Sequence, residues 1–134
     1  MQHNNPDGWS SQQISELVVQ GMLEKKASDV VVLDLRDIKH AVADYFVIGS
    51  GSSDTQIDAI SEAIEEQVRK TSKEKPWKKE GFQNKEWILL DYVDVVAHVF
   101  VKEKREFYAL EDLWADAHIT TVDESLNLIG HKAF

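Results

Sequence analysis

"EWILLDYVDVVAHVF", Glu86–Phe100, decides how this chain folds. Two β-branched and aromatic runs, "EWILLDY" and "DVVAHVFV", follow each other almost without a break. A parallel pair needs a crossover of roughly a dozen residues or more, so these runs must pair as an antiparallel hairpin. The same stretch gathers Trp87, Tyr92, His98 and the carboxylates Asp91 and Asp94. It is either an active site or a face that grips another molecule.

Upstream, "DVVVLDL" (29–35) and "DYFVIGS" (44–50) read as neighbouring strands joined by the mixed connector "RDIKHAVA". Between the two strand pairs lies "GSGSSDTQIDAISEAIEEQVRK", where Ser53 and Gln56 have capping-box spacing and Ile57, Ile60, Ile64 and Val68 repeat on one helical face. Arg69, Lys70 and Lys73 suit its negative end, and Pro76 prevents continuation. This helix carries the chain across the sheet, which must therefore be mixed. An earlier helix is predicted from the Ser10–Gln13 capping box and the stripe Ile14, Leu17, Val18, Met22. "EGF" is read as a short strand, and Phe107, Leu110, Leu113 and Trp114 have the spacing of a closing helix. Residues 1–9, with the turn sequence "NPDG", are expected to be a flexible N-terminus; residues 118–134 show no clear period and are read as a C-terminal extension. The expectation is one α/β domain over residues 10–117, a mixed β-sheet flanked by helices.

A chain of 134 residues buries enough surface for a core without staples. It has no cysteine, which removes disulfides, thiolate nucleophiles and Cys-ligated zinc. No apolar run approaches the roughly 18 residues of a membrane span, and the start lacks a basic region followed by an apolar one, so a soluble cytoplasmic protein is expected. With 24 acidic against 15 basic residues the net charge is -9, which disfavours direct nucleic-acid or membrane binding and favours a basic protein partner.

Chemistry finds little footing. "GSGSSDTQ" sits between strand and helix, where backbone N–H groups can hold a phosphate, yet it lacks a P-loop lysine and dinucleotide spacing. A nucleotidyltransferase would need paired carboxylates on one strand face for magnesium; Asp91 and Asp94 are three apart, so alternation sends them to opposite faces. Both flank "YV", where turn hydrogen bonding suits Asp without a metal. The five histidines lack ligand spacing, so neither metal nor cofactor is expected. His98 with Asp91 or Asp94 could make a general base, but a lone strand histidine more often satisfies a half-buried position. Trp114 suits the core; Trp87 and Tyr92, beside charges at strand ends, suit docking.

"ADYFVIGSGSS" with Gln56, then Glu80–Gly81, "WILLDY" with "DVVAHVF", and "REFYALEDLW" together resemble, in this order, the ribosomal silencing factor family, also called the Iojap family. The resemblance covers about Ile14 to Ala117. It implies a nucleotidyltransferase-like sheet without the catalytic carboxylates. It also implies a translation repressor that binds the large ribosomal subunit at the basic ribosomal protein L-fourteen and blocks subunit joining under starvation or in stationary phase. A magnesium-dependent nucleotidyltransferase-type enzyme is the alternative. On this resemblance Trp87, Tyr92, Asp94 and His98 are the partner-binding residues, and a homodimer is admitted. One departure stands out: many relatives have Gly where this chain has Val93, and a β-branched residue is disfavoured at positive φ, so the turn must change shape or bear strain.

Overall fold

The computed structural model describes residues 8–108 and 116–123. Its elements run α1 (Ser11–Glu24), β1 (Ser28–Asp34), β2 (Tyr45–Gly51), α2 (Asp54–Ser72), β3 (Lys78–Glu80), β4 (Trp87–Asp91), β5 (Val95–Val101), α3 (Lys102–Tyr108) and β6 (His118–Thr121). The six strands form one mixed sheet in the order β3-β4-β5-β2-β1-β6. As the tight spacing requires, β4 and β5 are antiparallel, Trp87 opposite Phe100 and Asp91 opposite Val96. β1 and β2 are likewise antiparallel. The one parallel pair, β2 with β5, sits at the centre, because α2 and the β3–β4 hairpin lie between those strands in the chain.

Alternation divides the sheet into two faces, each with its own core. Val30, Val32, Val47, Ile88, Leu90, Ala97 and Val99 meet the apolar stripes of α1 and α2. The stripe predicted for α2 is real: Ile57, Ile60, Ile64 and Val68 are all fully buried. Each such aliphatic side chain contributes roughly 1.5–3 kcal/mol of burial free energy. The opposite face carries Val31, Leu33, Phe46, Ile48, Val96 and Phe100, against which Ile38, Ala41, Ala43 and Ala117 pack.

The starts of α1 and α2 are capped by the predicted serines. Ser10 and Gln13 make the reciprocal capping box. At α2, Ser53 Oγ accepts from the Gln56 backbone N–H, but the Gln56 side chain reaches one residue further back than a capping box would take it. Its Oε1 accepts from Ser52 N–H, and its Nε2 donates to the carbonyls of Lys25 and Lys26 at the end of α1. Gln56 therefore ties two helix ends together.

Three expectations change. The short strand is Lys78–Glu80 and not "EGF", because Gly81 has φ +90 and begins a turn; a Cβ there would lie 2.0 Å from the Trp87 carbonyl oxygen. Trp9 is not part of a loose end but packs against the helix-side core. The sheet also runs beyond residue 117: His118–Thr121 pairs with β1, Val122 N–H donates to the Val30 carbonyl, and Val122 is buried. That edge strand escaped notice because an edge strand with one exposed side needs no apolar alternation. Of the predicted closing helix, α3 supplies the start; Leu110, Leu113 and Trp114 lie outside the described residues.

Candidate docking surface at the β4–β5 hairpin

Tyr92 N–H donates to the Val95 carbonyl at 2.8 Å, so the hairpin turns on only two residues, Val93 and Asp94. A two-residue turn between right-twisted strands demands positive φ at its first position. Val93 takes that conformation, φ +77, and Asp94 N–H donates to the Tyr92 carbonyl across it at 3.0 Å. Asp91 braces the turn, its Oδ1 accepting from Val93 N–H at 2.8 Å. The departure at position 93 is thus resolved as strain: the backbone keeps the glycine-type shape and a β-branched residue bears it.

The four residues singled out in the sequence are not brought to one exposed face. Trp87 and His98 lie on the sheet face away from α1 and α2, whereas Tyr92, one alternation out of step, points into the helix-side core. Tyr92 is 7 % exposed and His98 3 %, so neither ring offers itself to a partner. This corrects their reading as surface contacts: apolar neighbours on both sides of the sheet claim these positions. Trp87 is half-buried, stacked on Phe100 with centroids 5.0 Å apart, and donates from Nε1 to His98 Nδ1 at 3.0 Å. Asp94 remains partly exposed at the turn, its carbonyl accepting from Asp44 and Tyr45 N–H groups.

His98 is accordingly a neutral imidazole. Burial pushes its pKa down to about 3, and the accepted bond at Nδ1 places the ring proton on Nε2, which has no partner among the described residues. Its hydrogen-bond partner is Trp87, not Asp91 or Asp94, so the acid–base arrangement considered from the sequence does not form. The Gly-Ser turn before α2 is similarly occupied, since the Ser52 and Gln56 amides a phosphate would use are bonded to side chains of the turn itself. Among the described residues no three His, Asp or Glu side chains cluster as a metal site, and no helix is long and apolar enough to cross a membrane.

What the sequence reading missed lies around the turn. Val42 (76 % exposed), Trp77 (71 %) and Val93 (52 %) are large apolar side chains facing solvent. With Asp91 and Val96 they line a groove of about 430 Å³. Trp77 is positioned by β4, its N–H donating to the Asp91 carbonyl at 2.7 Å. On the helix side of the turn, Glu74, Tyr92, Val93 and Asp94 line a second cleft of about 330 Å³ with Trp9. Glu74 follows the α2 C-cap, Lys73, which is left-handed, and its carboxyl is raised in pKa by burial and then by Asp94. A hint was present in "EKPWKKE": an aromatic residue alone among charges, just after a proline, has no apolar partner at strand spacing.

The sequence matches the family described as "Ribosomal silencing factor during starvation" over residues 9–132. The chain belongs to the ribosomal silencing factor family. It is 42 % identical over 104 residues to "Ribosomal silencing factor RsfS" of Bacillus subtilis, covering 78 % of this chain and 86 % of that one. It is 30 % identical to "Mitochondrial assembly of ribosomal large subunit protein 1" of Mus musculus, covering 74 % of this chain but only 44 % of the mouse protein. A crystal structure of a Bacillus halodurans protein superposes with a TM-score of 0.69 at 34 % identity, covering 84 % of this chain and 98 % of that one. In this member of the silencing factor family, then, the β4–β5 hairpin has a strained valine at its apex.

Proposed function

We propose that this protein represses translation by binding the large ribosomal subunit at ribosomal protein L-fourteen and sterically blocking subunit joining, in the cytoplasm, under starvation or in stationary phase. The observation that carries the reading is the family match through the whole sheet domain, residues 9–132. Supporting it, the net charge of -9 suits a basic partner, and a relative is named for assembly of the ribosomal large subunit. Asp94 and the exposed part of Trp87 touch the partner. Tyr92 and His98 act from inside: Tyr92 anchors the turn in the helix-side core, and His98 fixes the Trp87 indole. No covalent step is needed, because a rigid body on the joining surface excludes the small subunit by volume alone.

Gradient co-sedimentation tests this. At low salt the protein should travel with isolated large subunits and reduce their pairing with small subunits in proportion to occupancy. Protein that stays at the top of the gradient, or binds without reducing pairing, refutes it. The enzyme alternative lacks support from the site: the Ser52 and Gln56 amides and His98 Nδ1 are committed to internal hydrogen bonds.

A further inference from the structure

We propose that the apex of the β4–β5 hairpin is a two-chambered docking surface for a protein segment presenting an aliphatic side chain beside a lysine or arginine, with Val93 as the ridge between the chambers. The inference rests on the reading of the chain as a large-subunit binder and names the surface that does the binding.

Val93 lines both depressions, the apolar groove with Val42 and Trp77 and the acidic cleft with Glu74 and Asp94. Three exposed apolar side chains from three separate segments converge here: the β1–β2 connector, the residue before β3, and the hairpin turn. Isolated exposed apolar residues are ordinary, but a convergent set around a groove marks an interface.

Strain adds an independent reason. A β-branched residue at φ +77 bears a backbone strain that a glycine would not incur. The Val93 side chain is more than half exposed, so it recovers little of that cost within the fold. Contact with another molecule gives the side chain a use that the folded chain does not.

Charge selects the occupant. The charged residue lining the groove is Asp91, and those lining the cleft are Glu74 and Asp94. Of the nearby lysines, Lys78 pairs with Glu80 at 3.2 Å and Lys79 with Glu65 at 3.3 Å. The raised pKa of Glu74 reflects burial beside a second carboxylate, a situation that an incoming ammonium or guanidinium relieves. The Tyr92 hydroxyl in the cleft wall is buried without a hydrogen-bond partner among the described residues. A phosphate backbone would be repelled, so the partner is a basic protein surface and not RNA.

Three full-length variants test the surface by large-subunit co-sedimentation together with thermal melting: Val93→Gly, Trp77→Ser and Glu74→Lys. Each should bind about tenfold more weakly, the usual loss for an interface anchor. Val93→Gly should do so while melting at or above the temperature of the unaltered chain, separating contact from stability. Should Val93→Gly melt lower, Trp77→Ser and Glu74→Lys, at half-exposed or exposed sites, decide the matter. Binding by the unaltered chain with all three variants equally tight overturns the inference and leaves silencing intact. No binding by the unaltered chain overturns both. Variants that lose self-association in sedimentation velocity yet bind the subunit normally assign the surface to a second copy of the chain, which also overturns it.

Discussion

His98 shows how much one alternation decides. Placed on the face opposite the helices, its ring meets Phe46 edge-on at 4.6 Å and accepts the Trp87 indole proton. Its pKa of about 3 in the folded chain, against 6.5 ordinarily, makes a signed prediction. Between those values the unfolded chain binds a proton that the folded chain does not. Stability is therefore complete above pH 6.5 and declines as pH falls towards 3, by up to about 1.4 kcal/mol per pH unit. His98→Asn retains an acceptor for Trp87 but cannot take up that proton, so urea unfolding from pH 6.5 to 4 should show a shallower decline than the unaltered chain. Equal slopes would mean that His98 titrates freely. Trp87→Phe should cost about 1–3 kcal/mol in the same assay, because it strands the buried His98 Nδ1 without a donor. Loss of subunit binding in that variant at unchanged stability would instead place the indole N–H at the interface.

Among the elements, the closest approach is between the helices. A Cβ on Gly21 would lie 2.6 Å from Ile64 Cα and 2.9 Å from the Ala63 carbonyl oxygen, so backbone, not a yielding side chain, blocks it. Alanine is the better helix former by about 1 kcal/mol. Overpacking typically costs about 1–3 kcal/mol, and here two backbones must part, so the clash prevails. Gly21→Ala should lower the melting temperature by several degrees, while Gln20→Ala one position away, which loses one side-chain hydrogen bond to Gln67, should lower it less. A Gly21→Ala chain that melts higher would show that α1 and α2 can separate freely. The pairing matters for function because α2 ends beside Glu74 and so sets the helix-side wall of the hairpin's acidic cleft.

For the molecule as a whole, the charge of -9 makes association with a basic partner depend on ionic strength. Raising salt from about 50 to 300 mM should slow association with large subunits far more than it speeds dissociation, since screening removes steering before it disturbs close contacts. A dissociation rate that carries the whole salt effect would count against electrostatic approach. Residues alone determined much of this protein. The apolar period of α2, the two capping serines and the missing crossover between β4 and β5 are local signals, so element identity, hairpin pairing and a mixed sheet could be read directly. The four motifs likewise led to the family. The edge strand β6 could not be read, because its pairing with β1 joins segments far apart in the chain and leaves no period. Nor could the hairpin be sorted into what is buried and what is offered: Tyr92 and His98 are polar enough to look exposed, and Val42 and Trp77 apolar enough to look buried. Exposure depends on what the rest of the chain lays over a position, and the groove at Val93 exists only where a connector, a strand entry and a turn meet. Local spacing fixes which elements form; only their packing settles which side chains are left for a partner.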